Sequence, residues 1–120
     1  MALTAALKTI ELLQGGLVDN SREVGAYLEA GLNKLKDKYD CIGDVRGLGM
    51  MLGVEFVSDK ASLTPAPELR DAIEMACFNR GLIILGCGGN SIRWSPPLIL
   101  AKEHVDVALE IFDEAIAASI

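Results

Sequence analysis

Apolar residues recur three and four apart at Leu3, Ala6, Leu7, Ile10 and Leu13, the period of a helix with one face turned to a core. Gly15-Gly16 closes that run, because paired glycines favour a helix end. A second stripe follows at Val24, Tyr27, Leu28, Leu32 and Leu35. Asn20 is its predicted N-cap, and Glu23 stands where a capping-box partner belongs. Arg22, Glu23, Lys34, Lys36 and Lys38 fall on the opposite, solvated face.

The pattern then shortens. Gly43 to Gly47 and Met51 to Val57 predict two strands around Leu48-Gly49-Met50, with Leu52, Val54 and Phe56 sharing one face of the second. Ser58 to Pro67 carries two prolines and reads as a loop. A third helix starts near Pro67 or Glu68, turns Leu69, Ala72, Ile73 and Ala76 inward and ends at Gly81. Leu82-Ile83-Ile84-Leu85 is wholly apolar and predicts a strand, and Gly86 to Asn90 predicts a turn. Ser91 to Trp94 is another strand, stopped by Pro96-Pro97. The last helix starts around Ala101, with Val105, Ala108, Leu109, Phe112 and Ile116 facing the core.

The order is helix, helix, strand, strand, helix, strand, strand, helix. The economical layering is α+β, close to α/β in appearance: a small antiparallel or mixed sheet of about four short strands with helices packed on it. The 120 residues suit a single domain, 1–120. An apolar fraction of 51% against 23% charged residues argues against disorder. The first helix starts without a capping lead-in, as expected for a domain taken from a longer chain.

Charge narrows the partners. The formal net charge of −6 disfavours contact with a phosphate backbone, so nucleic acid is not expected. The acidic balance also disfavours a basic membrane-surface helix, and no apolar run is long enough to span a bilayer. The start of the chain lacks the basic residues and apolar core of a signal peptide. Cys41, Cys77 and Cys87 match no zinc spacing, and an odd count fits a disulfide framework poorly. Reduced cysteines filling the core or its edge, in a cytoplasmic protein, are the expectation.

Candidate chemistry is sparse. Gly47-Leu48-Gly49-Met50-Met51-Leu52-Gly53 opens a strand and spaces its third glycine wrongly for a dinucleotide fingerprint, so its glycines are assigned to a tight turn. Gly86-Cys87-Gly88-Gly89 lacks a P-loop lysine. The only histidine, His104, falls in the first turn of the last helix and reads as exposed, without the partners that metal binding or catalysis requires. No catalytic residue and no metal ligand set is predicted.

Arg93 stands apart as the only charged residue between Gly81 and Leu100. Strand alternation puts it on the face opposite Ile92 and Trp94. An arginine in such surroundings needs an anion or water. An internal salt bridge to Glu55 or Asp44, a solvent-facing position at a sheet edge and capture of a substrate carboxylate all meet that need. Arg46, beside Asp44 between glycines, reads as a structural ion pair or as a donor to backbone carbonyls, ahead of any substrate role.

Three segments in order carry a resemblance. Ile42-Gly43-Asp44-Val45-Arg46-Gly47-Leu48-Gly49-Met50-Met51-Leu52-Gly53-Val54-Glu55-Phe56 resembles the small-domain hairpin of class III aminotransferases. Arg80-Gly81-Leu82-Ile83-Ile84 resembles that family's helix end and next strand, and Ser91-Ile92-Arg93-Trp94-Ser95-Pro96-Pro97-Leu98 its late strand and proline turn. Within the family the chain is most similar to 4-aminobutyrate aminotransferases, with acetylornithine and ornithine aminotransferases and some amino-acid racemases as relatives.

The resemblance implies the C-terminal small domain of a fold-type I enzyme that uses pyridoxal 5'-phosphate (PLP), with residues 1–18 in the interdomain helix region. It implies a homodimeric parent that transfers an amino group from an amino acid to a 2-oxo acid. The partner is the large PLP-binding domain of the same enzyme. Arg93 takes the place of the arginine that binds the substrate's α-carboxylate. Lys8, Lys34, Lys36, Lys38, Lys60 and Lys102 match no Schiff-base context, so these 120 residues alone are expected neither to bind PLP nor to catalyse. The alternatives are the small domain of a PLP-dependent racemase, a stand-alone module binding a small carboxylate, and a structural or interaction domain without a ligand.

Overall fold

Leu52, Val54 and Phe56 alternate along one strand and are all buried, and the sheet is built around that strand. The computed structural model describes Met1 to Ile120. Its helices are α1 (Ala2–Leu12), α2 (Val18–Lys38), α3 (Pro67–Asn79) and α4 (Lys102–Ala117). Its strands are β1 (Ile42–Leu48), β2 (Met51–Asp59), β3 (Thr64–Pro65), β4 (Leu85–Cys87) and β5 (Ser91–Trp94). The main sheet runs β1-β2-β5-β4 and every pairing is antiparallel, with β3 attached to the far end of β2. The fold is α+β with helices on one face of the sheet.

The covered face carries Val45, Leu52, Val54, Phe56, Ile92 and Trp94. Leu28 and Leu32 of α2, Ile73 and Cys77 of α3, and Val105, Phe112 and Ile116 of α4 close over it. Phe112 packs edge-on against both Trp94 (centroids 5.1 Å) and Phe56 (6.3 Å), the geometry aromatic quadrupoles favour. The other sheet face is open, and β5 presents Arg93 on it.

The stop at Gly15-Gly16 holds, since α1 ends at Leu12 and Gly16 leaves the helical conformation. The segment Leu13–Leu17 joins α1 to α2 across a kink at Gly16, φ 132°. Only glycine reaches that φ without strain.

Several expectations change. Asn20 is not a cap, because α2 already starts at Val18. Its side-chain amide donates to the carbonyls of Leu98 (2.7 Å) and Leu100 (3.0 Å). Tyr27 lies off the core and donates its hydroxyl to Asp106. In α3, Ala72 is exposed, and Cys77 is buried alongside Ile73.

The strand expected at Leu82–Leu85 begins only at Leu85, taking Gly86 and Cys87 out of the expected turn. Within the Ser58–Pro67 loop, Thr64–Pro65 pairs with β2 as a fifth strand. No helix is long and apolar enough to cross a membrane.

Candidate functional site

The prolines after Trp94 stop β5 and leave Arg93 next to the strand's end. Ile92 and Trp94 point into the core at 0% and 4% exposure, so the pleat turns Arg93 outward. The other four arginines each reach an acidic side chain: Arg22–Asp19, Arg46–Asp44 and Glu55, Arg70–Asp71, and Arg80–Glu114. Arg93 has neither an ion pair nor a side-chain hydrogen bond within the chain.

The internal salt bridge to Glu55 or Asp44 is therefore not formed by Arg93. Arg46 holds both acids, with Nη1 2.9 Å from Asp44 Oδ2 and 2.8 Å from Glu55 Oε2. The register gives the reason. Asp44 pairs across with Glu55, and Arg46 with Gly53. Arg46 thus has Asp44 two residues back on its own strand and Glu55 diagonally across. Arg93 also pairs with Gly53, from the other side, and has only Glu55 as a diagonal acidic neighbour. An arginine between two carboxylates outcompetes one facing a single carboxylate.

Lys36 adds a contact to Asp44 at 3.1 Å. The hydrogen bond from Arg46, and then Lys36, hold the Asp44 carboxyl below its ordinary range against the opposing effect of burial. The four charges Lys36, Asp44, Arg46 and Glu55 balance among themselves, and Arg93 is left over.

Two grooves flank Arg93. One, about 350 Å³, runs over Gly53 between Arg46 and Arg93, with Cys87 and Ser91 on its wall. The other, about 480 Å³, lies between Leu82–Leu85 and Trp94–Pro97 and reaches the start of α4. His104 is exposed, as expected, but it also stands on the wall of this second groove. Its Nδ1 accepts the N–H of Ala101 at 3.3 Å. The sequence did not bring Arg93 and His104 together, because they are joined only by how the segment after β5 folds back. Trp94 also lines this groove, with its indole Nε1 buried and without an acceptor.

Cys87 lies exposed on β4, so it is not core filler, whereas Cys77 is buried and Cys41 partly so. No three His, Cys, Asp or Glu side chains converge on a metal position. No lysine lines either groove beside Arg93. Lys8, Lys36, Lys38 and Lys60 are paired with acids, and Lys102 lies over the Tyr27 ring. What the arrangement offers chemically is an unpaired guanidinium on an open face, a fork suited to a carboxylate.

The model of the aminotransferase class-III family matches residues 1–116. The (R)-1-hydroxy-2-aminoethylphosphonate ammonia-lyase of Vibrio splendidus is 39% identical over 94% of this chain, which spans 24% of that protein. The alanine/serine racemase of Pyrococcus horikoshii is 42% identical over 93% of this chain, again 24% of that protein. Among solved structures, a PLP-bound amine transaminase from an uncultivated Pseudomonas species superposes with a TM-score of 0.90 at 29% identity. That match covers 97% of this chain and 27% of the other. The chain thus spans about a quarter of the length of the proteins it matches.

Proposed function

The chain belongs to the class-III aminotransferase family, and from that premise we propose that it is the C-terminal small domain of a larger PLP-dependent transaminase, in which Arg93 binds the substrate carboxylate. The observation that carries this reading is the solitary state of Arg93. A guanidinium that its own domain leaves without a counter-ion, on an open sheet face, is placed for an anion from outside.

The remainder of the polypeptide holds the cofactor, which supplies the electron sink for chemistry at the substrate's Cα. Arg93 orients the amino acid by its carboxylate through two parallel N–H···O bonds. Residues 1–18 pack at the boundary with the larger domain, and the parent works as a homodimer in the cytoplasm. The reaction is transfer of an amino group from an amino acid, 4-aminobutyrate-like or ornithine-like, to a 2-oxo acid. These finer readings rest on the family resemblance.

Arg93→Ala in the full-length enzyme tests the assignment. The kcat/KM for a carboxylate substrate such as pyruvate should fall by about 10- to 100-fold, the range of a charged hydrogen bond. For 1-phenylethylamine, which has no carboxylate, it should hold. Equal losses for both would remove Arg93 from the substrate site.

The 42% identity to an alanine/serine racemase favours a second reading, in which the same grip serves racemisation. Incubating the enzyme with L-alanine separates the two. D-alanine appearing without any 2-oxo acid marks a racemase, and pyruvate exceeding one equivalent of enzyme only with an added 2-oxo acid marks a transaminase.

A further inference from the structure

Glu55 is the acidic residue that could silence Arg93. It sits on the central strand, on the open face, with Arg46 diagonal to it on β1 and Arg93 diagonal to it on β5. Diagonal neighbours on one sheet face are within reach of long side chains. Gly53, directly between the two arginines, carries no side chain to separate them, and the groove over it is continuous. Glu55 nonetheless contacts Arg46 alone, at 2.8 Å.

We infer that Arg46 is a positioning residue, which by holding Glu55 and Asp44 keeps Arg93 free for an incoming carboxylate. The effect on substrate rests on the role proposed above for Arg93. The effect on Arg93 itself does not. Without Arg46, Glu55 loses its one ion-pair partner, and the unpaired cation diagonal to it is Arg93. An internal carboxylate then competes with the substrate's at an effective concentration that a free ligand matches only at high levels. Asp44 stays with Lys36, from which it is 3.1 Å away, so Glu55 is the competitor set loose. Arg46 is 58% exposed at its side chain, so its replacement leaves the core untouched.

Two measurements on the same variants test this. The first uses the 120-residue chain and phenylglyoxal, which modifies free guanidinium groups faster than ion-paired ones, with Arg93 followed by peptide mass mapping. Arg93 should react more slowly in Arg46→Met by about tenfold, the factor for a contact of about 1.4 kcal/mol. It should recover in Arg46→Met/Glu55→Gln, and stay as in the wild type in Arg46→Lys. An unchanged rate in Arg46→Met, or no recovery in the double variant, overturns the inference.

The second uses the full-length enzyme. KM for pyruvate should rise in Arg46→Met and return in the double variant, with KM for 1-phenylethylamine steady throughout. A KM loss that persists in the double variant overturns the inference, because it assigns Arg46 to the substrate directly. Altered Arg93 reactivity with unchanged KM overturns instead the substrate role of Arg93.

Discussion

Gly25 and Gly49 meet backbone against backbone where α2 crosses the β1–β2 turn. A Cβ on Gly25 would stand 2.3 Å from the carbonyl carbon and oxygen of Gly49. Gly49 itself adopts φ 57°, and Met50 donates its N–H to Ser21 Oγ at 3.2 Å. The hairpin is thereby fixed under α2, and with it the strands that set Arg46 and Glu55 in register.

Gly25→Ala should therefore destabilise the chain. Alanine gains about 1 kcal/mol in helix propensity, but the clash is with backbone that has nowhere to go. Overpacking of this kind costs about 1–3 kcal/mol and occasionally more, so a net loss is expected. Urea denaturation reads it as a lower midpoint. A midpoint at or above the wild type would contradict the close approach.

Asn20 ties α2 to the segment after β5 through the carbonyls of Leu98 and Leu100. Asn20→Ala removes both donors and leaves two part-buried carbonyls to find water. At about 1 kcal/mol for each hydrogen bond, a loss of about 2 kcal/mol in unfolding free energy is expected. Amide hydrogen exchange should rise first in residues 97–101. Exchange that rises uniformly over the whole chain would mean that the tie has no local role.

The alternation of β2 and the proline stop after β5 made those strands legible, because a period of two and a missing N–H act locally. Leu82–Ile84 did not form the expected strand. An apolar run reads alike whether it is paired or packed as coil, and here Ile83 and Leu85 are 76% and 56% exposed. Arg93 could be singled out as a lone charge among apolar residues. Its freedom from Glu55 could not, because it depends on the register set by the turn between Leu48 and Met51, which puts Asp44 opposite Glu55 and Gly53 between Arg46 and Arg93. Asn20 looked like a cap for want of any signal of its partners, which lie 78 and 80 residues away.

The three cysteines should separate by reactivity. Cys87 is exposed on an edge strand and is expected to alkylate first with iodoacetamide at pH 8. Cys41 is half-buried, and burial raises its pKa, so it follows slowly. Burial lifts Cys77 from its ordinary 9.0 to about 11, so it should react only on unfolding. Because the folded thiol titrates above the unfolded one, its contribution to stability is whole below pH 9 and is lost as pH rises toward 11. Cys77→Ala should flatten that alkaline decline. Alkylation of Cys77 at the rate of Cys87 in the folded chain would refute the ordering.

α1 buries none of its residues and touches no element beyond the Leu13–Leu17 segment that follows it. Its apolar stripe is open to solvent, with Leu3, Leu7 and Ile10 at 82%, 69% and 50% exposure. A helix this short is marginal in water on its own, so in isolation it adds little to the body of the domain. Deleting residues 2–12 should leave the unfolding free energy within about 0.5 kcal/mol of the intact chain, as for changes remote from any packed contact. The stripe has a second consequence, since exposed apolar surface promotes association. The intact chain should show concentration-dependent self-association in sedimentation velocity, and the shortened chain should not. A large drop in stability on deletion would show that α1 folds back onto the domain. Equal association of the two chains would move the sticky surface elsewhere, to the open end of the sheet where Leu48 and Met51 are 88% and 67% exposed.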